Sequence, residues 1–165
     1  MKKLYILLLA ALFFSQLTYA QGLTNKLTEQ EYYQIKINNI LIGDLIDTRG
    51  DYSKLKLMLG NDLQYKTYDK SFEVVEYWNN KITVRFEEED KTLTYLELHY
   101  PITLTIKGKR IKIGDDVSAL GLVKVDTANG EYSIYFNDER TLTASFTIEV
   151  NPSTKKITEI YYILF

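Results

Sequence analysis

Few side chains in this sequence have the types and spacing that catalysis requires. His99 is the only histidine, and the chain has no cysteine. These two facts exclude a metal site with two histidine ligands, a thiol nucleophile and a disulfide framework. No Gly-x-Ser-x-Gly elbow occurs that could present a serine nucleophile to His99. We interpret His99 as a solvated strand residue and predict no catalytic residue, no metal site and no cofactor.

The acidic run Glu87–Asp90 has the charge of a cation site but not its spacing. It lacks the alternating acidic positions and the central glycine with which calcium loops fold oxygen ligands around the ion. The corresponding loop of the second half, residues 151–156, carries lysines and no acids. We therefore predict a solvated hairpin loop. A pair of carboxylates brought together by tertiary structure, as in glycoside hydrolases, stays open as an alternative.

Aromatic and charged side chains on one face of a predicted sheet form a better candidate for a functional site. Strand alternation places them opposite the apolar residues of the same strands. Tyrosine, tryptophan and arginine are favoured at the centres of protein interfaces. The alternative is ordinary strand composition, since tyrosine is also a good strand former. The predicted binding residues are Trp78, Arg85, Tyr95, Glu97 and His99, with Glu76 beside them.

The N-terminal segment has the layout of a secretory signal peptide. A basic start precedes an apolar run over residues 4–14, and the small residue Ala20 follows. The run is too short to span a bilayer. We predict that residues 1–20 are a signal peptide and residues 21–30 a polar tether. The mature protein is then periplasmic or extracellular, and without a cysteine at the junction it is not lipid-anchored.

Composition narrows the classes of partner. The formal net charge of −2 at pH 7 gives no reason to expect nucleic acid. No lysine-rich amphipathic helix suggests a membrane surface, and no later apolar run is long enough to span one. The chain is long enough to build a core without disulfides. We expect a soluble mature chain with a protein partner, and its oligomeric state stays open because the last strand could pair with a second chain.

An internal repeat organises the rest of the chain. Residues 82–100 contain two strands with alternating apolar residues and a six-residue polar loop between them, and the same pattern returns in residues 146–164 at an offset of 64. A predicted hairpin and helix precede each copy. The sequence therefore predicts an α+β fold of two tandem β-β-α-β-β-β repeats, residues 31–100 and 101–165. The sheet is mainly antiparallel, with short helices packed on one face.

Local signals locate the hairpins and helices. Asn38–Asn39 and Lys107–Gly108 have the residue types of two-residue hairpin turns. Asp51 caps a helix that Gly60 ends, and residues 116–121 repeat the same start and stop signals within little more than one turn. Each half thus supplies a helix that can cover its sheet.

Alternation also predicts the core face of each meander. In both halves the inward residues are mostly aliphatic and lie two positions apart. Whether the two sheets merge into one stays open. The predicted core residues are Ile82, Val84, Phe86, Leu96, Leu98 and Tyr100 in the first half, and Phe146, Ile148, Val150, Ile160, Tyr162 and Leu164 in the second.

A short helix ending in Leu59–Asn61, an aromatic strand containing Tyr77 and Trp78, and a β-meander follow one another in the first half. This order resembles the tandem helix-plus-meander fold of small outer-membrane β-barrel-assembly lipoproteins and of the β-lactamase-inhibitor protein. The resemblance covers residues 44–100 best. The chain departs from it in lacking a lipidation cysteine and disulfides, and in beginning with a hairpin. The resemblance implies an envelope protein that binds other proteins through a sheet surface, without catalysis.

Two classes of function are consistent with these patterns. The first is an exported, non-enzymatic binding or envelope-assembly module that uses the aromatic sheet face, with an inhibitor or immunity protein as a special case. The alternative is a small exported hydrolase that uses carboxylates in a cleft between the two repeats. A groove between the halves filled by apolar side chains would count against the hydrolase.

Overall fold

The computed structural model describes residues 25–68, 74–121, 131–137 and 143–164. The predicted signal peptide lies outside these residues. Within them, antiparallel strands predominate and the helices are few and short. The α+β class with a mainly antiparallel sheet is therefore confirmed.

The described residues contain three α-helices and one short 3-10 helix. Each begins after a residue that caps its free N–H groups or that has an extended backbone. Thr28 and Glu31 form a capping box, in which each side chain accepts a hydrogen bond from the other residue's backbone N–H. Asp51 accepts from the N–H of Lys54, as its position before the helix predicts. The helices are α1 (Glu29–Tyr33), α2 (Ile42–Asp47), α3 (Tyr52–Leu59) and the 3-10 helix Val117–Leu120.

The described strands form two antiparallel sheets. The large sheet has seven strands in the order β3-β4-β5-β6-β11-β10-β9, and the small sheet has four in the order β2-β1-β7-β8. The strands are β1 (Lys36–Ile37), β2 (Ile40–Leu41), β3 (Gln64–Tyr68), β4 (Val74–Trp78), β5 (Ile82–Glu87), β6 (Leu93–Leu98), β7 (Thr103–Ile106), β8 (Lys109–Lys112), β9 (Glu131–Asn137), β10 (Thr143–Val150) and β11 (Ile157–Leu164).

The two halves of the chain share both sheets. In the large sheet β6 pairs with β11, so that Leu98 lies opposite Ile160 and Leu96 opposite Tyr162. In the small sheet β1 of the first hairpin pairs with β7 of the second. The sequence left open whether the sheets of the two halves merge. These two pairings show that they do, in both sheets.

Both hairpin turns lie where the sequence predicts them. Asn38 has φ 54°, and Lys107 and Gly108 have φ 48° and 72°, in the left-handed region that such tight turns need. Asn38 also accepts hydrogen bonds from the backbone N–H and the hydroxyl of Thr103, both at 3.1 Å. The first turn is thereby tied to the second half of the chain.

One hydrophobic core lies between the inner face of the large sheet and the layer formed by the helices and the small sheet. All but two of the predicted core residues are buried in it, and Leu164 packs against it partly buried. Tyr100 is the exception, with 65% of its surface exposed. That prediction is wrong because β6 ends at Leu98 and the chain turns, with the N–H of Ile102 donating to the carbonyl of His99 at 2.9 Å.

The segment expected as a tether is part of the fold from residue 25 onward. Leu27 is only 2% exposed, and its N–H donates to the carbonyl of Tyr135 on the edge strand β9 at 2.8 Å. The tether prediction is therefore wrong for residues 25–30, while residues 21–24 lie outside the described part of the chain. The spacing of Thr28 and Glu31 was the local signal for a helix start.

Two further elements were not predicted. Helix α2 begins at Ile42, where we expected only the end of a hairpin, and it buries Ile42 and Leu45. Strand β3 adds an edge to the large sheet, and all five of its residues are exposed. Neither segment has a clear hydrophobic period. Helix α2 has only six residues and buries two of them, and β3 buries none.

Candidate binding surface on the outer sheet face

The large sheet has one face turned away from the helices and the small sheet, which we call the outer face. Strand register arranges its side chains in rows that cross the sheet. Glu76 lies opposite Arg85, and Arg85 lies opposite Tyr95. In the next row Trp78 lies opposite Thr83, and Thr83 opposite Glu97. All five predicted binding residues therefore belong to this face, with His99 directly after the end of β6.

Arg85 is held from two sides. Its guanidinium forms an ion pair with the carboxylate of Glu76 and lies 4.6 Å from the centre of the Tyr95 ring. The second carboxylate oxygen of Glu76 accepts a hydrogen bond from the Tyr68 hydroxyl at 3.0 Å. A guanidinium stacked on an aromatic ring and paired with a carboxylate has few alternative rotamers, so Arg85 presents a defined shape to solvent.

The contacts continue along β6. The Tyr95 hydroxyl donates to Glu97 at 2.9 Å, and a Glu97 oxygen lies 3.8 Å from Nδ1 of His99. Nε2 of His99 lies 3.2 Å from the Thr83 hydroxyl. Arg85, Tyr95, Glu97 and His99 thus form one chain of contacts. Trp78 lies beside this chain, half-buried, in the row that contains Thr83.

The hydroxyls of Tyr95 and Tyr68 on this surface stay protonated in the physiological pH range. Burial raises the pKa of the Tyr95 hydroxyl, and its hydrogen bond to Glu97 raises it further. The hydrogen bond to Glu76 is the main cause of the raised pKa of Tyr68. Both hydroxyls therefore donate to carboxylates, and the surface combines neutral donors, anionic acceptors and one guanidinium.

The contact chain is also accessible. The side chains of Arg85, His99 and Glu97 are 43%, 36% and 35% exposed, whereas Glu76 beneath Arg85 is only 12% exposed. Side chains that are already ordered lose less entropy when a partner binds them. The titratable groups of this surface are paired with one another, Arg85 with Glu76 and His99 with Glu97.

In the part of the chain that the structure describes, the boundary between the two halves is built from paired strands and mainly apolar side chains. Among the described residues, β6 and β11 are hydrogen-bonded side by side, and their inner face carries the buried side chains of Leu96, Leu98, Ile160 and Tyr162. Asp44 and Asp47 do share an open groove of about 360 Å³, but it lies beside α2 and α3 in the first half. A carboxylate cleft between the halves is therefore not formed by these residues.

No group of three or more histidine, cysteine, aspartate or glutamate side chains in the described ranges is arranged to hold a metal ion. Glu97 and His99 contact each other within the chain of contacts described above. In the acidic loop Glu87–Asp90, the carboxylate of Asp90 accepts a hydrogen bond from the backbone N–H of Thr92 at 2.8 Å, which is an ordinary turn contact.

Sequence reasoning confined the surface to the first meander and missed its continuation. Tyr161 lies opposite Glu97, and Ile163 lies opposite Tyr95, so the outer face extends without interruption onto β11. Alternation along β11 gave the signal, since Tyr161 and Ile163 have the opposite parity to the buried Ile160 and Tyr162. The pairing partner of β11 was the missing information.

The described part of the chain has no helix long and apolar enough to cross a membrane. Comparison of the sequence with protein-family models, of the chain with curated proteins, and of the fold with solved structures found no match in any of the three. The interpretation of the outer face therefore depends on its own geometry and chemistry.

Proposed function

We propose that this protein is an exported, non-enzymatic binding module that recognises a protein partner through the outer face of its large sheet. The observation that carries the proposal is the chain of contacts that orders Arg85, Tyr95 and Glu97 on an accessible sheet face. Large amphipathic side chains that are ordered before binding are the usual anchors of protein interfaces.

The composition of the surface supports a protein partner. Trp78, Arg85, Tyr95 and Tyr161 combine large apolar area with hydrogen-bonding tips, within four adjacent strands. A small ligand would need a concave site that encloses it. A sheet face offers instead a broad and shallow surface, which another protein can cover.

Export is part of the proposal. The layout of residues 1–20 supports a signal peptide, and the absence of cysteine argues against lipid anchoring. A periplasmic or extracellular location follows. The resemblance to small outer-membrane assembly proteins and to the β-lactamase-inhibitor protein points the same way, toward an envelope-assembly module, an inhibitor or an immunity protein that neutralises one enzyme.

We further propose that the two halves are copies of one unit. The offset of 64 residues aligns β5 and β6 with β10 and β11. The last strands of the two meanders pair antiparallel, as do the first strands of the two hairpins. Antiparallel pairing of equivalent strands is what a two-fold relation between copies requires.

Affinity capture from an envelope extract tests the proposal. The bait is residues 21–165, and the test variant combines Trp78→Ala with Tyr95→Ala. A single retained protein that this variant loses is the expected result. Leu57→Ser is the matched control, because Leu57 is 86% exposed on α3, away from the outer face. Arg85→Gln serves as a second, milder variant.

The thermal midpoint and circular dichroism of each variant separate lost binding from lost folding. Retention of the partner by both folded surface variants would contradict the assignment of the surface. Loss of the partner by the Leu57→Ser control would contradict it as well, and would move the binding surface to the helical layer.

A further inference from the structure

Three glutamates lie in one row on the second-half part of the outer face. Glu149 on β10 lies directly opposite Glu159 on β11 and directly opposite Glu131 on β9. Glu97 of the contact chain lies one row away, opposite Tyr161. The sheet therefore places like charges at neighbouring positions on three adjacent strands.

Like charges that face each other across paired strands destabilise a sheet. On the paired strands β9, β10 and β11 this part of the face carries no lysine or arginine, and its described side chains include Ser133, Tyr135, Ser145, Thr147, Tyr161 and Ile163. The first-half part of the face differs, because Arg85 there neutralises Glu76. Within the described parts of β9, β10 and β11, the glutamate row thus has no cationic neighbour on its own face.

The charges of this row affect the pKa of the Tyr161 hydroxyl. Burial raises the pKa of its hydroxyl, a hydrogen bond with Thr147 lowers it, and the charges of Glu131, Glu149 and Glu159 raise it again. All three carboxylates therefore act on one hydroxyl at the centre of the outer face. The position combines a concentrated negative charge with an aromatic ring and the half-buried Ile163.

We propose that the partner covers this part of the outer face with a surface rich in lysine and arginine, whose cations neutralise the glutamate row. The inference depends on the proposed function, since it names the chemistry of the partner of the same surface. Complementary charge would steer the encounter and specify the partner's orientation. Tyr161 and Ile163 supply apolar contact beside the charges, which suits a protein better than a free ion.

Fluorescence anisotropy with labelled decalysine tests the inference, and labelled decaglutamate is the negative probe. The test variant is Glu149→Gln with Glu159→Gln. The control variant is Glu88→Gln with Glu89→Gln, which changes the net charge equally in the exposed loop after β5. We expect the test variant to bind decalysine about tenfold more weakly than wild type, since two exposed ion pairs are lost. The control should differ from wild type by less than about twofold.

Equal weakening by both variants, or no binding of decalysine at low salt, would overturn the inference. The capture experiment distinguishes this failure from failure of the proposed function, because Trp78→Ala with Tyr95→Ala tests the surface without changing its charge. A partner lost by that variant but kept by Glu149→Gln with Glu159→Gln would establish the surface and refute a basic partner. Relief of repulsion should also raise the thermal midpoint of Glu149→Gln by about 1–4 °C, and an unchanged or lower midpoint would contradict the energetic argument.

Discussion

At the scale of single residues, a pair of hydroxyl groups links the start of the fold to its last strand. The hydroxyls of Tyr32 on α1 and Tyr162 on β11 lie 2.9 Å apart inside the core, where Tyr32 is 5% and Tyr162 1% exposed. The Tyr32 ring also stacks on Phe136 of β9, with 4.6 Å between ring centres. Each hydroxyl is satisfied chiefly by the other, so the two residues act as one unit.

This pairing predicts a non-additive pair of substitutions. Tyr32→Phe or Tyr162→Phe alone should lower the free energy of unfolding by about 1–3 kcal/mol, because each leaves the opposite hydroxyl buried without its partner. The double substitution removes both hydroxyls and should cost less than the sum of the two single changes. Urea unfolding of the four proteins measures the coupling. Strict additivity would show that the two hydroxyls do not depend on each other.

At the scale of elements, the capping box of α1 carries a charge whose effect depends on pH. The Glu31 carboxylate accepts from the backbone N–H of Thr28 at 2.8 Å, and the Lys107 ammonium lies 3.7 Å from it. The hydrogen bond from the Thr28 backbone is the main cause that lowers the pKa of Glu31 below its ordinary value of 4.5. The ionised form therefore stabilises the folded state, and this contribution is lost as the pH falls below 4.5 through the lowered pKa.

Glu31→Gln isolates that charge, since glutamine keeps the hydrogen-bonding shape of a capping box. The variant should be less stable than wild type at about pH 6, and the difference should shrink as the pH falls through the lowered pKa of Glu31 and the wild-type carboxylate becomes protonated. Chemical unfolding at a series of pH values measures it. Glu29→Gln, a first-turn change outside the capping box, is the control. A difference that does not change with pH would contradict a role for the charge.

Elements specified by local rules could be predicted, and those specified by packing could not. The turn at Asn38–Asn39 and the cap at Asp51 depend on residues within a few positions of one another, so the sequence located both. Leu27 is placed by Tyr135, far along the chain, whereas β3 (Gln64–Tyr68) pairs with the neighbouring strand β4 and buries none of its residues. No local period marks either, and the sequence missed both.

The sequence likewise predicted only part of the candidate surface. Alternation within single strands placed Trp78, Arg85 and Tyr95 on one face. The glutamate row was not foreseen, because Glu131, Glu149 and Glu159 meet only through the registers of three strands. Register depends on which strands pair, and a single strand's pattern does not contain that information.

At the scale of the whole molecule, the shared sheet should make the two halves unfold together. Ile160 is fully buried on β11 and lies opposite Leu98 on β6, so both halves contribute to its surroundings. Ile160→Ala should lower the free energy of unfolding by about 2–5 kcal/mol. The loss should appear in the fluorescence of Trp78, the only tryptophan, although that residue belongs to the first half.

Urea unfolding of Ile160→Ala followed by both fluorescence and circular dichroism tests this expectation. Coincident transitions, both shifted to lower urea, are the predicted result. A Trp78 transition that stays at the wild-type midpoint while circular dichroism shows an earlier one would mean that the halves are separate folding units.

We expect the outer face of the large sheet to meet the partner, and site-specific photo-crosslinking measures most directly which face does so. A benzophenone amino acid replaces Tyr161 at the centre of the outer face or, as a matched control, Tyr33, which is 48% exposed on α1. We expect one crosslinked partner from position 161 and none from position 33, in cells that export the protein. A partner crosslinked from position 33 and not from position 161 would contradict it.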